Sequence, residues 1–132
     1  MEKFKVFFRS EAGGVEFRKI YTAEMTVTGD KYRINYRETD ENGVTETEIF
    51  VIGNDFVTVK RTGQFSNYLE FKENYPYKGE YLTPYGKIEV TAFTYKLTVE
   101  TENGLPKVSA KYKSSLMGEQ TENNFSFAVK RA

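Results

Sequence analysis

Residues 32–38 read Tyr32-Arg33-Ile34-Asn35-Tyr36-Arg37-Glu38, and this stretch decides the fold. Aromatic and branched side chains occupy its first even positions, and polar side chains occupy the odd ones. Because successive residues of a β-strand point to opposite faces, the pattern predicts a strand with one buried and one solvated face. Glu38, which ends the stretch, continues the apolar face.

The same alternation recurs along the chain, and turn residues interrupt it at short intervals. Val57 and Val59 share a face, as do Leu69 and Phe71, and the row Phe125, Phe127 and Val129 repeats the pattern. Glycine and asparagine supply the positive φ angles that tight hairpins require, and they recur between these rows, as in Gly13-Gly14 and Asn103-Gly104. Many short strands separated by such turns are typical of all-β barrels and sandwiches.

No stretch of the chain has helical periodicity, and we count about ten strands joined by short connections. Strands joined by tight turns pair as neighbours, and closure of the sheet removes edges that would promote aggregation. We therefore predict one all-β domain over residues 1–132, a single up-and-down antiparallel β-barrel. A two-sheet sandwich is the alternative.

Two segments depart from the regular pattern. Residues 87–100 change phase, since their apolar side chains occupy even positions up to Ala92 and odd positions from Phe93 to Val99. A phase change within one strand indicates a β-bulge. Pro76 has no backbone N–H to donate to a neighbouring strand, so residues 74–80 are expected to form a loop or an edge.

Composition excludes several classes of function. The 132 residues include no cysteine and no histidine, which removes thiol chemistry and the commonest general base and metal ligand. Nineteen basic residues balance nineteen acidic ones, whereas nucleic-acid binders have a basic excess. We therefore expect no catalytic residues, no metal site, no cofactor and no nucleic-acid partner. The N-terminus has no apolar run of a signal peptide or membrane anchor, so we expect a cytoplasmic location and no membrane association.

The up-and-down order brings distant segments to one end of the barrel. Residues 38–44, 61–66, 83–87 and 117–119 all meet there. Glu38 and Arg61 continue apolar strand faces, so both charges should point inward, roughly 10 Å apart at ~4.8 Å per strand. Tyr85 and Glu119 belong to the same end, and Tyr36 precedes Glu38 on the inward face.

Two interpretations of this end remain open. In the first, it binds a small apolar or amphipathic ligand. Arg61 anchors an anionic group, Glu38 orients it, and the aromatic interior takes the apolar remainder. Tyr36, Tyr85 and Glu119 complete the predicted ligand-binding set. In the second, Glu38 and Arg61 form an ion pair that closes the barrel.

A further alternative is a structural or protein-interaction module without a ligand. Such a module would use an exposed strand edge or an apolar patch, and a homodimer is one form that it can take.

Four motifs in order carry a family resemblance. They are Tyr32-Arg33-Ile34-Asn35-Tyr36-Arg37-Glu38, Arg61-Thr62-Gly63, Leu69-Glu70-Phe71 and Tyr81-Leu82-Thr83-Pro84-Tyr85-Gly86. Over residues 4–130 the chain resembles the YwiB-like family of uncharacterised bacterial proteins. The resemblance implies a small calycin-like (lipocalin-like) β-barrel of bacterial origin, and it implies no catalytic residue.

Overall fold

Ten β-strands make up the fold, because branched and aromatic side chains in alternation suit a pleated, half-buried surface. The computed structural model describes residues 2–132. The strands are β1 (Phe4–Ala12), β2 (Val15–Thr28), β3 (Lys31–Asp40), β4 (Gly43–Ile52), β5 (Phe56–Thr62), β6 (Asn67–Phe71), β7 (Pro76–Thr83), β8 (Gly86–Glu102), β9 (Leu105–Leu116) and β10 (Glu119–Arg131).

The strands follow an up-and-down order around a barrel. Neighbours in sequence pair antiparallel and β1 pairs with β10, so the sheet order is β6-β5-β4-β3-β2-β1-β10-β9-β8-β7. The edges of β6 and β7 meet at one antiparallel bridge, where Ser66 and Leu82 exchange backbone hydrogen bonds of 2.9 and 2.8 Å. The predicted all-β, up-and-down barrel of about ten strands is confirmed. Pro76 begins β7, at the edge of the hydrogen-bonded sheet, where a missing N–H is tolerated.

Two hairpins depend on residues that adopt positive φ angles. Gly13 and Gly14 join β1 to β2 with φ of 57° and 85°, and Asn103 and Gly104 join β8 to β9 with φ of 55° and 77°. Two consecutive positive φ angles are typical of the type I′ turn, whose twist matches that of paired strands. These turns fix the registers, and the registers decide which side chains face the interior.

The phase change in residues 87–100 is a β-bulge in β8. The register with β9 shifts between Thr94 and Lys96. The change from even to odd inward-facing positions lies closer to the C-terminus than the apolar pattern suggested. Phe93 and Tyr95 alternate with the buried Ala92 and Thr94, so both aromatic side chains face outward. Beyond the bulge, Glu73 Oε1 accepts a hydrogen bond of 3.0 Å from the backbone N–H of Leu97.

Aromatic and branched side chains pack the interior. Phe71 lies against Phe125 and against Tyr112, with 4.9 Å between ring centroids in each pair. One barrel end is sealed, since Leu105 and Pro106 are buried there and the Tyr32 hydroxyl donates a 3.3 Å hydrogen bond to the Gly104 carbonyl. We call the opposite end the mouth; it is formed by the turns at residues 12–15, 40–43, 62–67, 83–86 and 116–119.

The ladder between β2 and β3 stops halfway along the wall. It runs from Thr28 and Lys31 to Ala23 and Tyr36, although both strands continue toward the mouth. Within residues 2–132, residues 15–22 pair with β1 alone and residues 37–40 pair with β4 alone. We call this gap the wall opening. It leaves one edge of residues 15–22 without a neighbouring strand.

Candidate functional site

Arg61 lies in an interior row of side chains at the mouth. Directly opposite residues of antiparallel strands share a face, and the registers of β3 to β6 align Tyr36, Thr47, Arg61 and Asn67. The next row toward the sealed end consists of Ile34, Ile49, Val59 and Leu69, which belong to or pack against the core. Arg61 therefore faces the interior immediately above the apolar core, and Glu38 lies on the same face of β3.

Three tyrosines share the interior with the Arg61 guanidinium. Tyr21 of β2 stacks on Tyr36 of β3 with 4.1 Å between ring centroids. Burial raises the pKa of Tyr36 and of Tyr112, and the Arg61 cation opposes both shifts. Burial, followed by Tyr36 and Glu38, also raises the pKa of Tyr21, which Arg61 again opposes. The cation thus lies within electrostatic reach of β2, β3 and β9, among hydroxyls that stay protonated near neutral pH.

Glu38 is neutralised by Lys19, a residue that the sequence analysis did not include. Lys19 Nζ donates a 2.9 Å hydrogen bond to Glu38 Oε1 across the wall opening. Within residues 2–132, no carboxylate oxygen lies within 4.0 Å of the Arg61 guanidinium. The ion pair between Glu38 and Arg61, considered above as the structural alternative, is therefore replaced by an ion pair between Glu38 and Lys19.

Two polar atoms without a hydrogen-bond partner in residues 2–132 flank Arg61. Among the described residues, the buried atoms Thr47 Oγ1, Asn67 Oδ1 and Thr94 Oγ1 have no hydrogen-bond partner. Thr47 and Asn67 flank Arg61 in the interior row, and Thr94 lies opposite Tyr112. The Thr47 hydroxyl is near enough to lower the Tyr36 pKa but does not meet hydrogen-bond geometry. Such atoms cost about 1–3 kcal/mol each, so the two beside Arg61 need an explanation.

Aromatic rings fill the barrel below this layer. Phe71, Phe125 and Phe127 occupy the interior, so it offers little room for the apolar part of a ligand. The surface grooves of the described residues include five of 190–590 Å³, and neither Arg61 nor Glu38 lines any of these five. The 590 Å³ groove crosses the outside of β2 to β5, over charged side chains such as Arg33, Glu46 and Lys60.

The other two predicted residues lie at the mouth but outside the interior. Tyr85 is 96% exposed in the turn between β7 and β8, and Glu119 is exposed at the start of β10. The structure therefore brings Tyr36, Glu38 and Arg61 together and leaves Tyr85 and Glu119 in solvent at the edge.

Exposed apolar side chains surround the mouth. Each of its five hairpins carries one: Val15, Val44, Phe65, Leu82 and Met117. We call these five residues the apolar rim. Val15 continues the inward face of β2, whereas Val44 and Leu82 lie on the outward faces of β4 and β7. The apolar rim therefore lies at the margin of the mouth, where an amphipathic molecule could place its apolar part.

Several site residues were missed at the sequence level. Lys19 lies between Phe17 and Tyr21 among the odd-numbered residues of β2, which share one face of the strand. Its inward orientation could therefore have been inferred from the sequence. Thr47 and Asn67 could have been found by extending the pairing of β4, β5 and β6 from their turns. Tyr112 gave no local signal, because its approach to Arg61 depends on closure of the barrel.

Charge and hydrogen-bonding capacity define what this site can do. A guanidinium presents several N–H donors in a fixed fork, and the surrounding hydroxyls add further donors. The arrangement can hold an oxyanion. Within the described residues, no group of three or more acidic side chains is placed to hold a metal ion, and no helix could cross a membrane.

Comparisons with known proteins identify relatives of the whole fold. The sequence profile of a family described as "Domain of unknown function (DUF1934)" matches residues 6–126. The crystal structure of the ywiB protein from Bacillus subtilis is similar, with a TM-score of 0.81 and 18% identity over 99% of this chain and 92% of that chain. No curated protein matches. At this identity the structural likeness shows the fold alone.

Proposed function

This chain belongs to the family described as domain of unknown function DUF1934, and we propose that its barrel binds a small amphipathic ligand through an anionic group held by Arg61. Its resemblance to the YwiB-like family is confirmed. Neither comparison assigns an activity, so the proposal rests on the mouth. One observation carries it: an interior guanidinium has no carboxylate partner, while the neighbouring carboxylate is used by Lys19.

The charge of the interior supports an anionic ligand. Arg61 is the half-buried cation of this layer, and the charge of Glu38 is already offset by Lys19, whose side chain is 47% exposed. Charges that are removed from water are normally paired, because desolvation penalises an isolated ion. Arginine binds carboxylate and phosphate groups through two parallel hydrogen bonds, which suits it to this role.

The neighbouring hydroxyls support an oxyanion in particular. Tyr21, Tyr36 and Tyr112 remain protonated because burial holds their pKa values above the ordinary value of 10.0. Tyr36 and Thr47 lie in the same row as Arg61, so their hydroxyls can donate to an oxygen held there, and within residues 2–132 the Thr47 hydroxyl is unpaired. Low local polarity strengthens such bonds relative to bonds in water.

The ligand's apolar part would lie along the apolar rim. The sequence had led us to expect the apolar part inside the aromatic interior, but Phe71, Phe125 and Phe127 fill that space. A compact anionic group with a short hydrocarbon chain fits both conditions.

The proposal can be tested by NMR titration with octanoate, octan-1-ol and inorganic phosphate. Octanoate combines both features, the alcohol lacks the charge and phosphate lacks the chain. Octanoate is expected to shift the Arg61 side-chain N–H signal and to bind more tightly than either other probe. Loss of a charged hydrogen bond costs about 2 kcal/mol, so Arg61→Gln should weaken octanoate binding by roughly thirtyfold.

Arg37→Gln is the matched control. Arg37 lies on β3 but faces outward, where it pairs with Glu46. Octanoate affinity should stay unchanged in this variant. Equal binding of octanoate and octan-1-ol, equal effects of the two arginine variants, or no binding of either anion would contradict the proposal.

A further inference from the structure

The first half of β2 has a feature that the ligand site does not use. Residues 15–20 are exposed on both faces of the strand, unlike the alternating remainder of the barrel. Val15, Phe17 and Ile20 are 72%, 49% and 58% exposed. The edge of these residues at the wall opening has no neighbouring strand within residues 2–132. An apolar strand with a free edge is a template for pairing with another strand.

We propose that this edge pairs with the same edge of a second copy, as an antiparallel dimer whose twofold axis passes at Phe17. The proposal does not rest on ligand binding, although Val15 also belongs to the apolar rim and Lys19 also pairs with Glu38. A twofold interface must be self-complementary, because the same surface contributes from both subunits. The charges of β2 meet this condition in one register.

Charge complementarity selects the position of the axis. An axis at Phe17 places Glu16 opposite Arg18 of the second copy, and the pair occurs twice by symmetry. Axes at Glu16, Arg18 or Lys19 would place a charged residue opposite its own copy. Like charges directly opposite each other destabilise a sheet. An axis at Ile20 would leave only residues 18–22 free to pair, because β2 pairs with β3 from Ala23 onward.

The backbone of β2 is oriented for this pairing. Ala12 and Val15 flank a two-residue turn, so they form a hydrogen-bonded pair and the odd residues of β2 direct their backbone groups toward β1. The even residues Glu16 and Arg18 therefore direct N–H and C=O groups toward the free edge. Phe17 would meet its copy in a non-hydrogen-bonded pair, in which side chains approach most closely and aromatic rings pack.

The competing interpretation is an edge protected against association. Inward-facing charged residues are one device that proteins use for this purpose, and Lys19 is such a residue. Its ammonium group, however, is engaged by Glu38 on the interior side. The free edge itself carries apolar residues and the charges of Glu16 and Arg18, which pair with each other within one copy and would exchange partners across the axis.

Sedimentation velocity of the intact chain over a wide concentration range tests the dimer. The shared edge is short, so a reversible dimer that strengthens with concentration is expected. Hydrogen exchange should report slower exchange of the Glu16 and Arg18 amides as the dimer forms. A strict monomer at millimolar concentration would overturn the proposal, as would a dimer that leaves these amides unprotected.

Charge reversal tests the register. Glu16→Arg and Arg18→Glu should each lower the association constant by about tenfold, because each places like charges opposite one another twice. The two substitutions together restore opposite charges and should restore the dimer. The double variant is also expected to fold, since Arg at 16 would face Glu11 and Glu at 18 would face Arg9.

Lys87→Glu, at the exposed start of β8, is the control and should leave association unchanged. Melting curves of all variants separate loss of pairing from loss of folding. The proposed register would be overturned if neither single charge reversal lowered the association constant. A double variant that folds but stays monomeric would also overturn it.

Discussion

Replacement of Arg61 by methionine is expected to stabilise the barrel while removing the proposed anion site. The guanidinium is half-buried and has no carboxylate partner in the described residues, so its desolvation is not offset by an ion pair. Methionine keeps an unbranched chain of similar length and adapts to irregular space. The substitution therefore removes the charge with little change in shape.

The expected gain is about 1–2 kcal/mol. A fully buried ion is penalised by several kcal/mol, but Arg61 is partly exposed and hydroxyls surround it, so only part of that penalty applies. For a chain of 132 residues, a gain of about 1.5 kcal/mol raises the melting temperature by about 5 °C.

Thermal unfolding followed by circular dichroism measures this difference. Arg37→Met is the control, because Arg37 is exposed and pairs with Glu46 at the surface, where a pair contributes about 0–1 kcal/mol. A lower melting temperature for Arg61→Met than for Arg37→Met would refute the reasoning, because Arg61 would then stabilise the fold.

Three other variants and one change of pH test the structure. A Cβ at Gly63 would lie 2.9 Å from the carbonyl oxygen of Val44, so Gly63→Ala should lower the free energy of unfolding by about 2 kcal/mol. Gly79→Ala should cost less in the same denaturant titration, because its Cβ meets the Tyr77 side chain, which can rotate. Thr94→Val should raise the free energy of unfolding by about 1 kcal/mol, since it removes a buried, unpaired hydroxyl; a decrease would mean that this hydroxyl has a partner. Burial raises the pKa of Tyr36 and of Tyr112 above 10.0 in the folded state. The stability that the two protonated phenols contribute is therefore fully present below pH 10, and it is lost as the pH rises through their folded pKa values. Denaturant midpoints should therefore fall above pH 10, together with tyrosinate absorbance; midpoints independent of pH there would contradict this.

The fold could be predicted because short stretches of sequence determine its strands and turns. Alternation in stretches such as residues 32–38 sets the strand faces, and Gly13-Gly14 or Asn103-Gly104 sets the turns. Short connections then leave few possible orders for the strands. The bulge in β8 was predictable in kind but not in position, since Phe93 and Tyr95 are aromatic and yet face outward.

The candidate site could be predicted only in part. The inward orientation of Glu38 and Arg61 follows from extending two apolar faces, which is a local argument. The partner of Glu38 does not follow, because Lys19 reaches it only where the ladder between β2 and β3 has ended. The approach of Tyr112 to Arg61 likewise depends on barrel closure, which joins residues far apart in sequence.

Native mass spectrometry of the protein purified from its own cells tests the central claim most directly. The wild type is expected to carry an additional small mass, and fragmentation of that species should release an anion. Arg61→Met, purified in the same way, should lack the mass although it folds, whereas Arg37→Met should retain it. A wild type with no additional mass, or a mass retained equally by both variants, would contradict an anion site at Arg61.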